Sequence, residues 1–377
     1  MCRYVRMSLI VSVAPALPPH RYDQQEITDR FAELVLPAGT DRRMLDRFHS
    51  AAGVQTRHLA LPIESYPALE GFGAANDAFI EVAVELGHEA VSSALSEAGL
   101  TGADVDLIVS TSVTGVAAPS IDARLVPLLG LRTDVKRLPI FGLGCVAGAA
   151  GIARLHDYLR GDPDGVAVLL SVELCSLTIQ RDDPSIANLV ASGLFGDGAA
   201  AVVMVGERRA EALGLTGDRA AAAVALAPEL RNRCPRVVDT RSRFYPNTER
   251  VMGWDIGGTG FRIVLDASVA EVVEANLGDD LDEFLGVHEL KTEDIARWVT
   301  HPGGPKVLEA VARAARLADE DMQPARDCLA RVGNLSSASV LHVLADTMDG
   351  PAPVAGSYGV LLAMGPGFCA ELVLLQW

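Results

Sequence analysis

The sequence predicts an α/β protein in which a mainly parallel or mixed sheet is covered by helices on both faces, and the whole unit occurs twice. Three observations point there. Apolar, β-branched runs at 105–113, 135–141, 166–174 and 199–205 are separated by helix-length segments, the alternation that builds covered sheets. Hydrophobic residues make up 49% of the chain but aromatics only 5%, beside 35 glycines; a core of Ala, Val, Leu and Ile around glycine lets helices lie close to a sheet. Third, Leu100-Thr101-Gly102-Ala103-Asp104-Val105 is echoed by Leu290-Lys291-Thr292-Glu293-Asp294-Ile295, and Gly142-Leu143-Gly144-Cys145 by Gly333-Asn334-Leu335-Ser336-Ser337-Ala338. The offset, roughly 190 residues, is too long for a solenoid and right for a duplicated domain. The break between copies falls in the charged, glycine-containing stretch 207–220, dividing the chain into 1–215 and 216–377.

Residues 7–14 read as a first strand. The two arginines before them faintly suggest a secretory leader, but the apolar run is short and β-branched and no small-x-small cleavage site follows. Pro15 to Pro19 break the chain, and 24–35 and 41–51 are helical. Residues 74–98 form a long helix ending at Gly99. The run 135–141 is expected to be a buried strand entering a glycine turn, with a helix starting at or near Cys145. A further helix opens at Asp183-Pro184, and Leu194-Phe195-Gly196-Asp197-Gly198 turns into strand 199–205. Residues 358–375 close the second copy as 198–205 close the first.

A net charge of −17 argues against nucleic acid or an anionic membrane as partner, and no run is long enough to span a bilayer. Six cysteines are scattered at 2, 145, 175, 234, 328 and 369 without metal-type spacing, the pattern of reduced thiols in a cytoplasmic protein. Arg42, Arg43, Arg47, Arg57 and His58 make one basic region, either a solvated surface or an electrostatic mouth for a phosphorylated ligand.

The candidate chemistry centres on three residues. A thiol at a helix start feels unpaired N–H groups and the positive end of the helix dipole, which favour thiolate. Asn334 begins the equivalent helix of the second half, and His301 leaves the strand that follows the repeated turn. A pseudo-twofold brings all three into one cleft. A thiolate attacks thioesters, and imidazole and amide donors together stabilise an enolate or a tetrahedral oxyanion.

Together with Gly193-Leu194-Phe195-Gly196-Asp197-Gly198, Thr300-His301-Pro302-Gly303-Gly304-Pro305, Gly333-Asn334-Leu335-Ser336-Ser337-Ala338 and Gly365-Pro366-Gly367, the chain resembles the type III polyketide synthases, the chalcone synthase-like enzymes of the thiolase superfamily. The match runs in order over nearly the whole length. The resemblance implies an αβαβα thiolase-like fold, a homodimer, acyl-CoA and malonyl-CoA as substrates, and no metal or prosthetic group. It makes Cys145 the nucleophile, His301 its partner, and His301 with Asn334 the holders of the malonyl thioester oxygen. Phe195 and Phe261 match gating phenylalanines. Alignment puts Thr114, Ala118, Thr178, Met252, Thr259, Ser336 and Met364 in the substrate pocket, and Arg47, Arg57, His58 and Lys306 at the CoA.

Departures lie where product is decided. Met364 stands where plant enzymes carry a phenylalanine, and Ala118 where they send a methionine across the dimer interface. Small residues there open space for a longer acyl chain, so the leading expectation is an alkylpyrone or alkylresorcinol from a fatty acyl starter. The alternative is a malonyl-primed synthase of a small aromatic such as tetrahydroxynaphthalene. A ketoacyl synthase III-like enzyme is a further alternative, disfavoured by the acidic balance; a retired scaffold is disfavoured by the intact triad.

Overall fold

A computed structural model describes residues 7–216 and 233–377. The first half runs β1 (Ser8–Ala16), β2 (His20–Asp23), α1 (Gln24–Val35), α2 (Arg43–Ser50), β3 (Thr56–Leu59), α3 (Gly71–Glu97), β4 (Leu107–Ser112), α4 (Ile121–Leu128), β5 (Lys136–Phe141), α5 (Ala147–Gly161), β6 (Val166–Leu174), α6 (Ile186–Leu194), β7 (Asp197–Gly206) and α7 (Glu207–Ala212). The second runs β8 (Arg236–Phe244), β9 (Met252–Gly257), β10 (Gly260–Leu265), α8 (Val269–Gly286), β11 (Ile295–Thr300), α9 (Pro305–Ala315), α10 (Asp319–Val332), α11 (Ser339–Asp349), β12 (Tyr358–Gly365) and β13 (Cys369–Gln376). The expected break near 215 borders 217–232, which lie outside the described residues.

Strand order states the duplication. The first half reads β5-β4-β6-β7-β1 and the second β11-β12-β13-β8. In both, two parallel strands are followed by two antiparallel pairings: β4 with β6, then β6–β7 and β7–β1; β11 with β12, then β12–β13 and β13–β8. The repeated turn is built alike in each copy. Asp104 accepts the Thr101 N–H at 3.0 Å, and Asp294 the Lys291 N–H at 2.8 Å. The two half-sheets join at β1 and β8 through the pairs Ser8–Val237 and Leu9–Arg236, giving nine continuous strands.

Three apolar cores give the five layers. One packs α1 and α3 on the outer face of the first half-sheet, and another packs α8 and α9 on the outer face of the second. The middle core packs α5 and α11 between the inner faces of both. The central helices approach closely because Gly148 has no side chain: a Cβ there would lie 2.3 Å from the Ser337 carbonyl oxygen.

Three expectations change. Pro15 lies inside β1, opposite Ala200, where β8 no longer pairs, so its missing N–H leaves no ladder bond unmade. The strand before Cys145 is not buried: β5 is an outer edge with Leu138 and Phe141 exposed. Lys136 donates its N–H to the Asp106 carbonyl, so by alternation residues 138 and 140 also face β4 while Pro139 faces the open rim. Lastly, Asn334 is not the positional equivalent of Cys145. Each central helix is preceded by a short 3₁₀ turn, Gly144–Val146 and Ser336–Ala338, with Cys145 and Ser337 at their midpoints; Asn334 lies in the loop before its turn.

Gly148→Ala is expected to lower stability by about 1–3 kcal/mol through overpacking against a backbone atom. The check is a reduced denaturant midpoint at unchanged m-value.

Candidate active site

The turn bearing Cys145 is shaped by glycines on both sides. Gly144 adopts φ +56°, and a Cβ there would fall 2.7 Å from Pro366; one at Gly365 would fall 2.7 Å from the Leu143 oxygen and the Val146 nitrogen. The Gly365-Pro366-Gly367 turn between β12 and β13 therefore lies directly against the thiol-bearing turn. The Cys145 S–H donates to Ser336 Oγ at 3.7 Å.

His301 follows β11, and its N–H donates to the Leu362 carbonyl of β12 at 2.9 Å. Its ring is buried, and neither ring nitrogen has a protein partner. The Asn334 amide is oriented by its oxygen. Oδ1 accepts from Ser336 N at 2.8 Å and Ser339 Oγ at 3.3 Å, while Nδ2 makes only a long bond to Gly303 O at 3.4 Å. Its donor end is thus left for the cavity.

Cys145, His301 and Asn334 line one cavity of about 310 Å³ together with Phe195, Met252, Met364 and Lys306. Phe195 also lines a second space of about 20 Å³, bounded by Thr178, Cys175, Trp254 and Ile263. The gate phenylalanine of the resemblance therefore stands between two compartments.

Other expected pocket and CoA residues lie elsewhere. Ser336 touches the thiol, as above. Thr114 is buried in a hydrogen-bond cluster around Glu173, donating to its Oε2 at 2.9 Å. Ala118 and Thr259 are exposed on loops and line neither space. Phe261 packs among Phe72, Phe141 and Trp254, an aromatic cluster beside the smaller space rather than a gate on the larger one. The basic region is largely neutralised. Arg42 pairs with Asp29 and Asp46, and Arg43 with Asp41. Arg57 is 1% exposed and turned inward, and His58 is tied to the Pro18 oxygen at 2.5 Å. Arg47 is exposed on α2 beside Phe48 and Ala51, which line the cavity; Lys306 alone of the four CoA candidates lines it.

Sequence reasoning missed Glu173. It is the penultimate residue of β6, fully buried, and accepts from Ser337 Oγ at 2.5 Å, Val113 N at 3.1 Å and Thr114 Oγ1. A lone acid one residue from the end of the mainly apolar run 166–174 was the available signal. Burial raises its carboxyl above the ordinary range against these donors.

The electrostatics correct the standing thiolate. Burial pushes the Cys145 thiol up to about 12; the Ser336 hydrogen bond eases that rise, and the Glu173 charge adds to it. Burial pushes His301 down to about 3. Both are neutral near pH 7, because desolvation at this depth outweighs the helix terminus. Among the described residues no cluster of three or more His, Cys, Asp or Glu could hold a metal, and no helix is long and apolar enough to cross a membrane.

The family model for the N-terminal domain of chalcone and stilbene synthases matches residues 4–208, and that for the C-terminal domain residues 236–377. The chain belongs to the chalcone and stilbene synthase family. More narrowly, it is a type III polyketide synthase, an acyltransferase that uses CoA thioesters. It is 56% identical over 372 residues, 99% of this chain and 94% of the relative, to a 1,3,6,8-tetrahydroxynaphthalene synthase of Streptomyces peucetius subsp. caesius. A putative chalcone synthase of Bacillus subtilis is 32% identical, covering 98% of this chain and 99% of that protein. The crystal structure of 1,3,6,8-tetrahydroxynaphthalene synthase from Streptomyces coelicolor superposes with TM-score 0.86 at 29% identity, covering 98% and 99% of the two chains.

Glu173→Gln removes a charge that opposes the thiolate. At pH 8, well below the thiol pKa, alkylation of Cys145 by iodoacetamide should quicken by about three- to tenfold. In both forms the rate should climb with pH as the thiolate fraction grows, and mass-spectrometric labelling rates check both points.

Proposed function

We propose that the protein is a malonyl-primed type III polyketide synthase that makes a small aromatic of the tetrahydroxynaphthalene kind. The observation that carries the chemistry is the convergence of an unpaired imidazole, a directed amide donor and a buried thiol on one cavity. In this reading His301 takes the Cys145 proton as Sγ attacks a malonyl thioester, so charge appears as a mutually stabilised pair and CoA leaves with the proton returned to its sulfur. His301 and the Asn334 amide then hold the oxygen of an incoming malonyl-CoA as it loses carbon dioxide. The enolate carbon attacks the Cys145-bound acyl group and breaks its bond to Sγ, which leaves as thiolate and is reprotonated. The chain, two carbons longer, is then carried on the extender's CoA and can be reloaded onto Cys145.

Two observations support the malonyl-primed reading over the fatty acyl starter. The synthase of Streptomyces peucetius at 56% identity carries the tetrahydroxynaphthalene name. The volume argument for a long chain also loses one of its two residues within this chain: Met364 lines the cavity, but Ala118 is exposed and lines neither space. Behind Phe195 the second space of about 20 Å³ holds about one water, leaving no ready channel for an alkyl tail. Lys306, with Arg47 nearby, is the charge available to CoA phosphates. The reading includes a cytoplasmic homodimer, with Val116, Leu128, Leu138 and Phe141, exposed on and beside the β5 edge, as the apolar surface open to a second copy.

Labelled malonyl-CoA alone should yield an aromatic built only from malonyl carbons, and long-chain acyl-CoA should neither be incorporated nor compete. Mass spectrometry of products decides; efficient incorporation of a long starter would sink the malonyl-primed reading. Cys145→Ala should abolish acyl loading, and Asn334→Ala should slow malonyl-CoA decarboxylation by about 10²–10³-fold while affecting loading less. Carbon dioxide release and acyl-enzyme mass measure the two half-reactions separately.

A further inference from the structure

The segment bearing Phe195 is held by three consecutive carbonyls, each gripped from a different element. Gln24 of α1 donates Nε2 to the Gly193 oxygen at 2.7 Å. The Asn334 N–H donates to the Leu194 oxygen at 2.9 Å, and the Gly196 N–H returns to the Asn334 oxygen at 3.0 Å. Arg57 of β3 donates Nη1 to the Phe195 oxygen at 2.6 Å. The first and third grips are one unit, because Arg57 Nε donates to Gln24 Oε1 at 3.0 Å.

Arg57 is an unusual tool for this. It is fully buried, has no salt bridge among the described residues, and leaves Nη2 without a partner; Asp197 reaches it only through its field. Retaining a guanidinium there costs desolvation that an apolar side chain would avoid. Its stem also lies against the Asn334 loop, where a Cβ on Gly333 would be 3.1 Å from Arg57 Cγ and Cδ. Next along, Gly193 lies on the His49 ring, where a Cβ would be 2.4 Å from Cδ2, and His49 Nε2 meets Ser192 Oγ at 3.1 Å.

We infer that the buried Gln24–Arg57 pair is a positioning device that sets the place of the Phe195 ring and ties it to the Asn334 loop, and thereby decides how far a chain grows before release. It does not contact CoA. The inference rests on the polyketide synthase reading with Phe195 as the divider between compartments. Its physical content is local: without the Arg57 donor, the Phe195 carbonyl and Gln24 Oε1 lose their partner in a dry site, and the segment shifts to recover one. A shifted ring moves the wall met by the growing chain, whereas the Cys145 turn, held from β12 and β13, stays.

The test uses Arg57→Met, Arg57→Lys and Gln24→Leu in the full chain. In Arg57→Met, hydrogen exchange at the Gly196 and Asn334 amides should quicken by about tenfold relative to the amides of β7. The ratio of short, early-released products to full-length product from malonyl-CoA should rise by about threefold or more, with Cys145 alkylation unchanged. Gln24→Leu should move both readouts the same way, and Arg57→Lys, which keeps one donor, should fall between. Exchange that quickens uniformly across β7 would make Arg57 merely structural and overturn the inference, as would local loosening with an unaltered product ratio. If the parent makes no polyketide from malonyl-CoA, the functional reading fails, and the inference about product length fails with it. The exchange pattern then still decides whether the pair holds the segment, so the two failures are told apart.

Discussion

The contact between Gly148 and the Ser337 backbone is the constraint on which the rest depends. Two helices from separate halves meet at their starts with no side chain on Gly148 to hold them apart, and this fixes the distance between the loops on either side. Cys145 lies one turn before the first helix and Asn334 just before the second. Holding the helix starts together holds these two residues on one cavity, and the parallel pairing of β11 with β12 delivers His301 to the same place. The three residues are brought together by packing in the central layer.

Symmetry supplies the frame, and its failures supply the function. Between β6 and β7 the first half inserts α6 and the Phe195 segment, whereas between β12 and β13 the second half has only Pro366, Gly367 and Phe368. The long insertion divides the space into two compartments. The short turn instead lies against Gly144. Each half therefore shapes the cavity around the other half's contribution.

Much of this was legible in the chain. Apolar runs and glycine turns gave the strands and helices, with α1 and β6 falling on their expected limits, and the repeated turn at Asp104 and Asp294 recurs with the same hydrogen bond. Cys145, His301 and Asn334 were legible because each sits in a glycine-rich motif whose spacing is tied to backbone geometry. What failed was direction. Arg57 reads as surface charge beside other arginines, and only its environment shows that it turns inward to a carbonyl. Thr114 and Ala118 lie near the right motifs, yet one is spent on Glu173 and the other faces solvent. Charge state failed for a related reason: a helix start favours thiolate, but how deeply Cys145 is buried is a property of the packed layers, not of its own stretch of chain.

Pro139 on the outer rim of β5 has a consequence for how copies of this chain can associate. An open strand edge is a template on which further strands can stack without limit, the geometry of fibrils. The missing donor at Pro139, with Lys136 and Arg137 beside it, interrupts that template while Leu138 and Phe141 still offer apolar surface. A second copy is steered toward burying side chains rather than extending the ladder. Such contacts can close around a twofold and stop. At this edge the nine-stranded sheet is blunted against endless extension.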